Sequence, residues 1–433
     1  MTAHDVHHAG DVRTIVTRSP DGVHDQLVEI HGLAGRLEVP SSVMANDTLS
    51  LLAPGGETIE QGLLRPFASP HGGGFLPLAE RLTCSHVRGI ASRVQRIAER
   101  TGAPPLAVDP ATLTPARIST HGWLPELGAA RLGCVERLGI EPAWLVAQMQ
   151  LSLYFAGALD AVELELTSER PLAIAGRILR RDRIRICGDR QRLTVVTPAG
   201  QLVLALTRIE PPGMRPVWAR EVSDVIDVGS SAIAVRASND WMLHWDTAAA
   251  RGEACDDPAR HLACVERAVS VLEAYVPSYY RWVAALMREV VPLRREAATP
   301  PRSQSFLIWP GQIHVSRASV AAMVGMLVHA CTNQYFHLAC WTGSLIKPGA
   351  PSPMERILLG YHAAANTLLA YRGLASSVGR CPDLDARELA DHTARCAAQA
   401  ASLGDGLEAH LAYLAPLGRD LYEPLRDCVA ATR

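Results

Sequence analysis

The feature that most constrains this 433-residue chain is a change of hydrophobic period along its length. Between residues 161 and 209 the apolar residues fall in short, β-branched or alternating runs: 161–166, 173–179, 184–186, 193–196 and 202–209. Turn residues such as Thr197-Pro198-Ala199-Gly200 separate them. Short runs divided by turn chemistry predict an antiparallel meander. From Pro258 onward the spacing becomes helical, with segments at 261–275, 277–290, 318–341, 353–374, 386–403 and 406–415. Only 305–315 reads as extended there. Earlier helices are expected at 78–100 and 142–159, and a short strand pair at 222–228 and 232–235. The fold class is therefore α+β, with an antiparallel sheet in the N-terminal half and a mainly helical bundle in the C-terminal half. The chain divides into three regions: 1–210 with the meander, a connector at 211–257 that begins after Glu210-Pro211-Pro212-Gly213, and a helical region at 258–433.

Composition narrows the class. Hydrophobic residues make up 48% and charged residues 20%, enough for a packed core. A net charge of −2 gives no general pull toward nucleic acid or anionic membrane. The arginines of 177–192 alternate with apolar residues, as on the wet face of strands. Ten cysteines without a Cys-x-x-Cys pair suggest reduced thiols rather than a zinc ribbon or a disulfide framework. The polar N-terminus lacks the apolar core of a secretory signal, and no uninterrupted apolar run of about 18 residues occurs. A cytoplasmic protein that does not enter membranes is expected.

Two short motifs carry chemistry. Pro70-His71-Gly72-Gly73-Gly74 resembles an esterase oxyanion loop, but no Gly-x-Ser-x-Gly elbow accompanies it, so it reads as a turn. The stretch from Val328 to His337 reads as a metal-site helix of the His-Glu-x-x-His kind with two altered positions. His329 opens it, Ala330 stands at the Glu position and Asn333 at the second His. On a helix Asn333 lies about 40° from His329, so both can face one site. His337 sits about 12 Å along the axis and cannot share an ion with His329. The next helix places Glu355, His362 and Asn366 on one face. If the two helices pack antiparallel, His329 and His362 face each other, as in bundle metal sites. The plainer reading is that each His is a hydrogen-bonded core residue, with Asn satisfying a ring nitrogen. Cys331 and Cys340 read as buried structural thiols, since no cation or helix N-terminus activates them.

Taken together, residues 258–374 resemble the HExxH-motif peptide-modification family of natural-product gene clusters. The resemblance runs through Val291-Pro292-Leu293, Ser303-Gln304-Ser305-Phe306, Pro310-Gly311-Gln312-Ile313-His314-Val315-Ser316, the 327–338 helix and Glu355 to His362. Some members are iron(II)- and 2-oxoglutarate-dependent peptide β-hydroxylases. The resemblance implies His329 and His362 as metal ligands, completed by Asn333 or Glu355, with Arg356 or Arg372 holding the 2-oxoglutarate carboxylate. Loss of the motif Glu disfavours peptidase chemistry, and loss of the second His weakens metal binding. Two functions are expected from this: an active hydroxylase of a peptide or carrier-bound amino acid, or a pseudoenzyme. The latter would hold a precursor peptide or a partner modification enzyme, with the meander's strand edges offered for peptide addition.

Overall fold

A run of three glycines ends where the first long helix begins. Gly73 and Gly74 have φ of +67° and +71°, a region costly for side-chain-bearing residues, and Gly74 is the N-cap of α1, Phe75–Thr101. The expected turn at 71–74 is thus present and exposed. A computed structural model describes residues 62–134, 141–167, 172–175, 177–179, 183–209, 217–220, 225–228, 231–235, 258–293 and 300–432. Expectations for residues 1–61, for the boundary at 210–213 and for most of the connector lie outside the described residues.

Helices α2 (Pro125–Gly133) and α3 (Pro142–Phe155) each open on a proline at the first position, where the missing N–H has no cost. Helix α3 stops at Phe155, four residues before the expected end, because Gly157 turns the chain at φ +80°. It is buried almost all round and packs on β1 (Val162–Thr167) and β2 (Leu172–Ile174). The predicted single strand at 173–179 is a hairpin of β2 with β3 (Arg177–Leu179). Ala175 breaks it with φ +47°, and its N–H donates to Glu126 Oε1 at 2.7 Å.

The runs at 183–209 form strands as the alternation predicts, while the last strand, at 217–219, was not predicted and extends the sheet into the expected connector. Strands β4 (Arg183–Gly188), β5 (Arg192–Val196), β6 (Leu202–Ile209) and β7 (Val217–Ala219) join β1 in the order β1-β4-β5-β6-β7, antiparallel throughout. Leu166, Ile184, Ile186, Leu193 and Val195 point into the core. The outer face carries cross-strand ion pairs, Arg183 to Glu165 and Arg185 to Glu163, both at 2.6 Å. These pairs are exposed and screened by water, so they add little to stability.

The C-terminal half is mainly helical, as expected, and it also holds a sheet. After β8 (Val225–Val228), β9 (Ser231–Val235), α4 (Pro258–Tyr275) and α5 (Pro277–Leu286), the chain forms β10 (Glu289–Leu293), β11 (Ser303–Ser305) and β12 (Gln312–Ser316). These strands make a mixed sheet, order β11-β12-β10-β9-β8, with β10 parallel to both β12 and β9. The helix expected at 277–290 therefore ends at Leu286. Every residue of β10 is buried, and a strand covered on both faces shows no alternation to distinguish it from a buried helix.

Four helices complete the chain: α6 (Val320–Thr342), α7 (Met354–Ala375), α8 (Ala386–Glu408) and α9 (Pro416–Ala431). Helix α8 runs through the break expected near residue 404, where Gly404 lies against the Tyr361 ring. Helix α9 was not expected: Pro416 begins it and Pro424 sits inside it. One core spans the first and last predicted regions. Phe67 and Phe75 meet the Tyr335 ring edge-on, and Trp282 stacks on it at 3.6 Å. Among the described residues no helix is long and apolar enough to cross a membrane.

Candidate functional site

Helix α6 is started by Ser319, whose Oγ accepts from Ala322 N at 3.2 Å. Almost all of its residues are buried, so its sequence could show only a weak polar stripe. Helix α7 packs beside it because Gly325 leaves room for Tyr371. A Cβ on Gly325 would lie 1.9 Å from the Tyr371 oxygen. That hydroxyl donates to Ala321 O at 3.1 Å.

On this frame His329 and Asn333 are half-buried, while Ala330 is fully buried. Burial lowers the His329 pKa to about 4, so its ring is neutral near pH 7. Asn333 Oδ1 is a buried oxygen with no hydrogen-bond partner among the described residues. His362 is fully buried on α7, its ring 6.2 Å from the Phe336 ring of α6. His362 Nε2 lies 2.6 Å from the Phe67 carbonyl oxygen. A carbonyl only accepts, so Nε2 carries the ring proton. Burial lowers this histidine to about 4, which leaves Nδ1 as a bare lone pair, and Nδ1 has no partner among the described residues.

One turn along α7, Asn366 Nδ2 donates to Ala68 O at 2.9 Å, while its Oδ1 accepts from Tyr279 at 2.9 Å. His362 and Asn366 thus grip two successive carbonyls of the segment before α1. Sequence reading placed Asn366 beside His362 on one face but did not foresee what both would hold, because Phe67 is almost 300 residues distant.

The other expected site residues serve elsewhere. Glu355 is exposed on the first turn of α7 and accepts from Cys340 Sγ at 3.6 Å; partial desolvation raises its carboxyl above the ordinary value. Arg372 Nη1 donates to Val429 O at 3.0 Å and Thr432 Oγ1 at 2.8 Å, tying α7 to the end of α9. Arg356 is half-buried in the first turn of α7. Burial pushes the Cys331 and Cys340 thiols well up, as for structural cysteines.

Among the described residues no group of three or more His, Cys, Asp and Glu is placed to hold a metal ion. His329, His362 and Glu355 are not brought together as such a group, and Arg372 is spent on α9. The donor set does not fit iron held by two histidines and one carboxylate with 2-oxoglutarate beside it.

A dense set of polar contacts falls on a residue that the motifs do not include. Gln334 is fully buried on α6; its Oε1 accepts from Trp123 Nε1 at 2.8 Å and Gly311 N at 2.9 Å. Its Nε2 donates to Ser305 Oγ at 2.7 Å. The residues that carried the family resemblance are built into the same region. Gln312 Nε2 donates to Glu289 Oε2 at 2.8 Å, and Gln312 Oε1 faces His314 Nε2 at 3.0 Å. An amide in the middle of an apolar helix was the available signal for Gln334.

Compared with known proteins, the chain matches no family model and no curated protein.

Proposed function

We propose that this chain serves peptide natural-product maturation as a binding protein with an altered HExxH-like site, holding a precursor peptide or a partner enzyme. One observation carries the reading. His362, a ligand in the catalytic alternative, donates its Nε2 proton to the Phe67 carbonyl, and its helix neighbour Asn366 holds the next carbonyl. These residues act on peptide backbone. Asn333 in place of the second motif His supports the same reading, because a neutral amide oxygen is a poor ligand for iron or zinc.

A second reading, an altered metal site, is favoured by the bare Nδ1 of His362. Metal-binding histidines commonly donate their other ring nitrogen to a backbone carbonyl, which fixes the tautomer as Phe67 does here.

Two measurements separate them. Protein purified without chelator and supplied with iron is analysed for metal; the binding reading expects well under one ion per chain. Immobilised protein is then offered the short peptides encoded beside its gene. Selective retention is expected, and no enrichment over an unrelated peptide overturns the binding reading.

A further inference from the structure

The segment between Leu64 and Pro70 is held as a bound peptide is held. Three of its backbone groups are satisfied by side chains from distant helices rather than by other backbone. Leu64 N donates to Asp420 Oδ2 of α9 at 3.2 Å, Phe67 O accepts from His362, and Ala68 O accepts from Asn366. Phe67 is fully buried, edge-on to Tyr335 at 5.1 Å. Pairing of main-chain groups together with a side-chain pocket is the general logic of peptide recognition. The receiving groups are themselves positioned: Tyr279 donates to Asn366 Oδ1, which turns the amide nitrogen toward Ala68. Arg65, exposed in the segment, lies within electrostatic reach of the Asp420 carboxylate.

A tight turn lies immediately after the segment: Pro70–Gly72 form a single 3-10 turn, and Gly73 N donates to Pro70 O at 3.4 Å. His71 to Gly74 are exposed, and a Cβ on Gly72 or Gly73 would touch nothing. The glycines therefore answer no packing demand; Gly73 and Gly74 supply the positive φ that turns the chain from the segment into α1.

We infer that residues 64–70 are an intramolecular occupant of a peptide-binding groove formed by α5, α6, α7 and α9. The groove's external ligand is a peptide with a basic residue two positions before an aromatic one, as Arg65 stands before Phe67. This deepens the binding reading above and rests on it for its biological setting, although not for its chemistry. Tethering gives the occupant an effective concentration that disfavours competitors by roughly 10²–10⁴-fold. Release of the segment is therefore the regulated step.

The test uses the full chain with a protease site inserted at Gly73, and a labelled peptide of residues 62–73 as probe. After cleavage, and with the fold verified by circular dichroism, the probe is expected to bind at least a hundredfold more tightly than to the uncut chain. Replacing Phe67 by Ala in the probe should remove binding. A second variant locks the segment in place. Ser69 Oγ lies 3.9 Å from Cys428 Sγ, so Ser69→Cys should tie the segment to α9 on oxidation. In that variant, bearing the cut site, probe binding should appear only after reduction. No binding to the cut, folded chain, or equal binding to cut, uncut and oxidised forms, overturns the inference. Probe binding without precursor retention would remove the maturation reading and leave the groove. Precursor retention by the oxidised, locked form would remove the groove and leave the maturation reading.

Discussion

His362 Nε2 and the Phe67 carbonyl oxygen, 295 residues apart in sequence, lie 2.6 Å apart inside the protein. The contact fixes the tautomer of the imidazole, joins α7 to the segment before α1, and commits to structure a residue that resemblance alone would assign to a metal.

Replacing His362 by Ala leaves the Phe67 carbonyl buried without a donor. A buried orphan acceptor costs about 1–3 kcal/mol, and the vacated ring volume adds to that. Urea unfolding should show the loss, whereas His329→Ala, at a half-buried position, should cost less. Equal costs would contradict the difference in burial.

Stability should fall on mild acidification. His86, His314 and His337 are lowered to about 3, and His261, His329 and His362 to about 4, chiefly by desolvation. The unfolded chain takes up protons near the ordinary value of about 6.5, which the folded chain does not. Stability is therefore complete above about pH 6.5 and is lost as pH falls toward about 3, with a slope approaching about 1.4 kcal/mol per pH unit for each fully buried histidine and less for half-buried His329. Thermal melts between mildly alkaline and mildly acidic pH measure it; a flat profile would contradict neutral buried rings.

Restoring the family motif should be tolerated at one position and not the other. Ala330 is fully buried, so Ala330→Glu forces a carboxylate into the core and should cost several kcal/mol. Asn333→His, at a half-buried position, should fold near normally. Comparing denaturation midpoints decides it, with equal destabilisation counting against the placement of α6.

The α6–α7 contact can be tested by compensation. Gly325→Ala should cost about 1–3 kcal/mol because the new Cβ meets the Tyr371 hydroxyl. Tyr371→Phe should cost about 1 kcal/mol through the lost bond to Ala321 O. The double variant should be more stable than the sum of the two losses predicts. Strict additivity would show that the helices are held apart at this point.

Gln334→Leu should be among the most damaging single changes, because Trp123 Nε1 and Gly311 N would both lose their acceptor. A loss of about 2–4 kcal/mol, with a shift in tryptophan emission, is expected from two buried orphan donors.

Much of the fold was legible because local chemistry states it. The meander, the long helices α1, α6 and α7, and the turn at 71–74 come from alternation, helical spacing and glycine. Strand β10 was hidden because burial on both faces erases the alternation that marks a strand. Helix α9 was hidden because its interior Pro424 looks like an end. His362 and Asn366 were found as a polar pair on one face of α7, and their occupant was not.

The sequence alone determined the α+β class, the turns, and which helices carry polar side chains inside. Periodicity and backbone propensity act over a few neighbouring residues, so they can be read in order. The mixed sheet, the hub at Gln334 and the partner of His362 were decided only by tertiary structure. Each depends on groups far apart in the chain satisfying one another's hydrogen bonds after water is excluded, and no local pattern records which distant carbonyl a buried imidazole will meet.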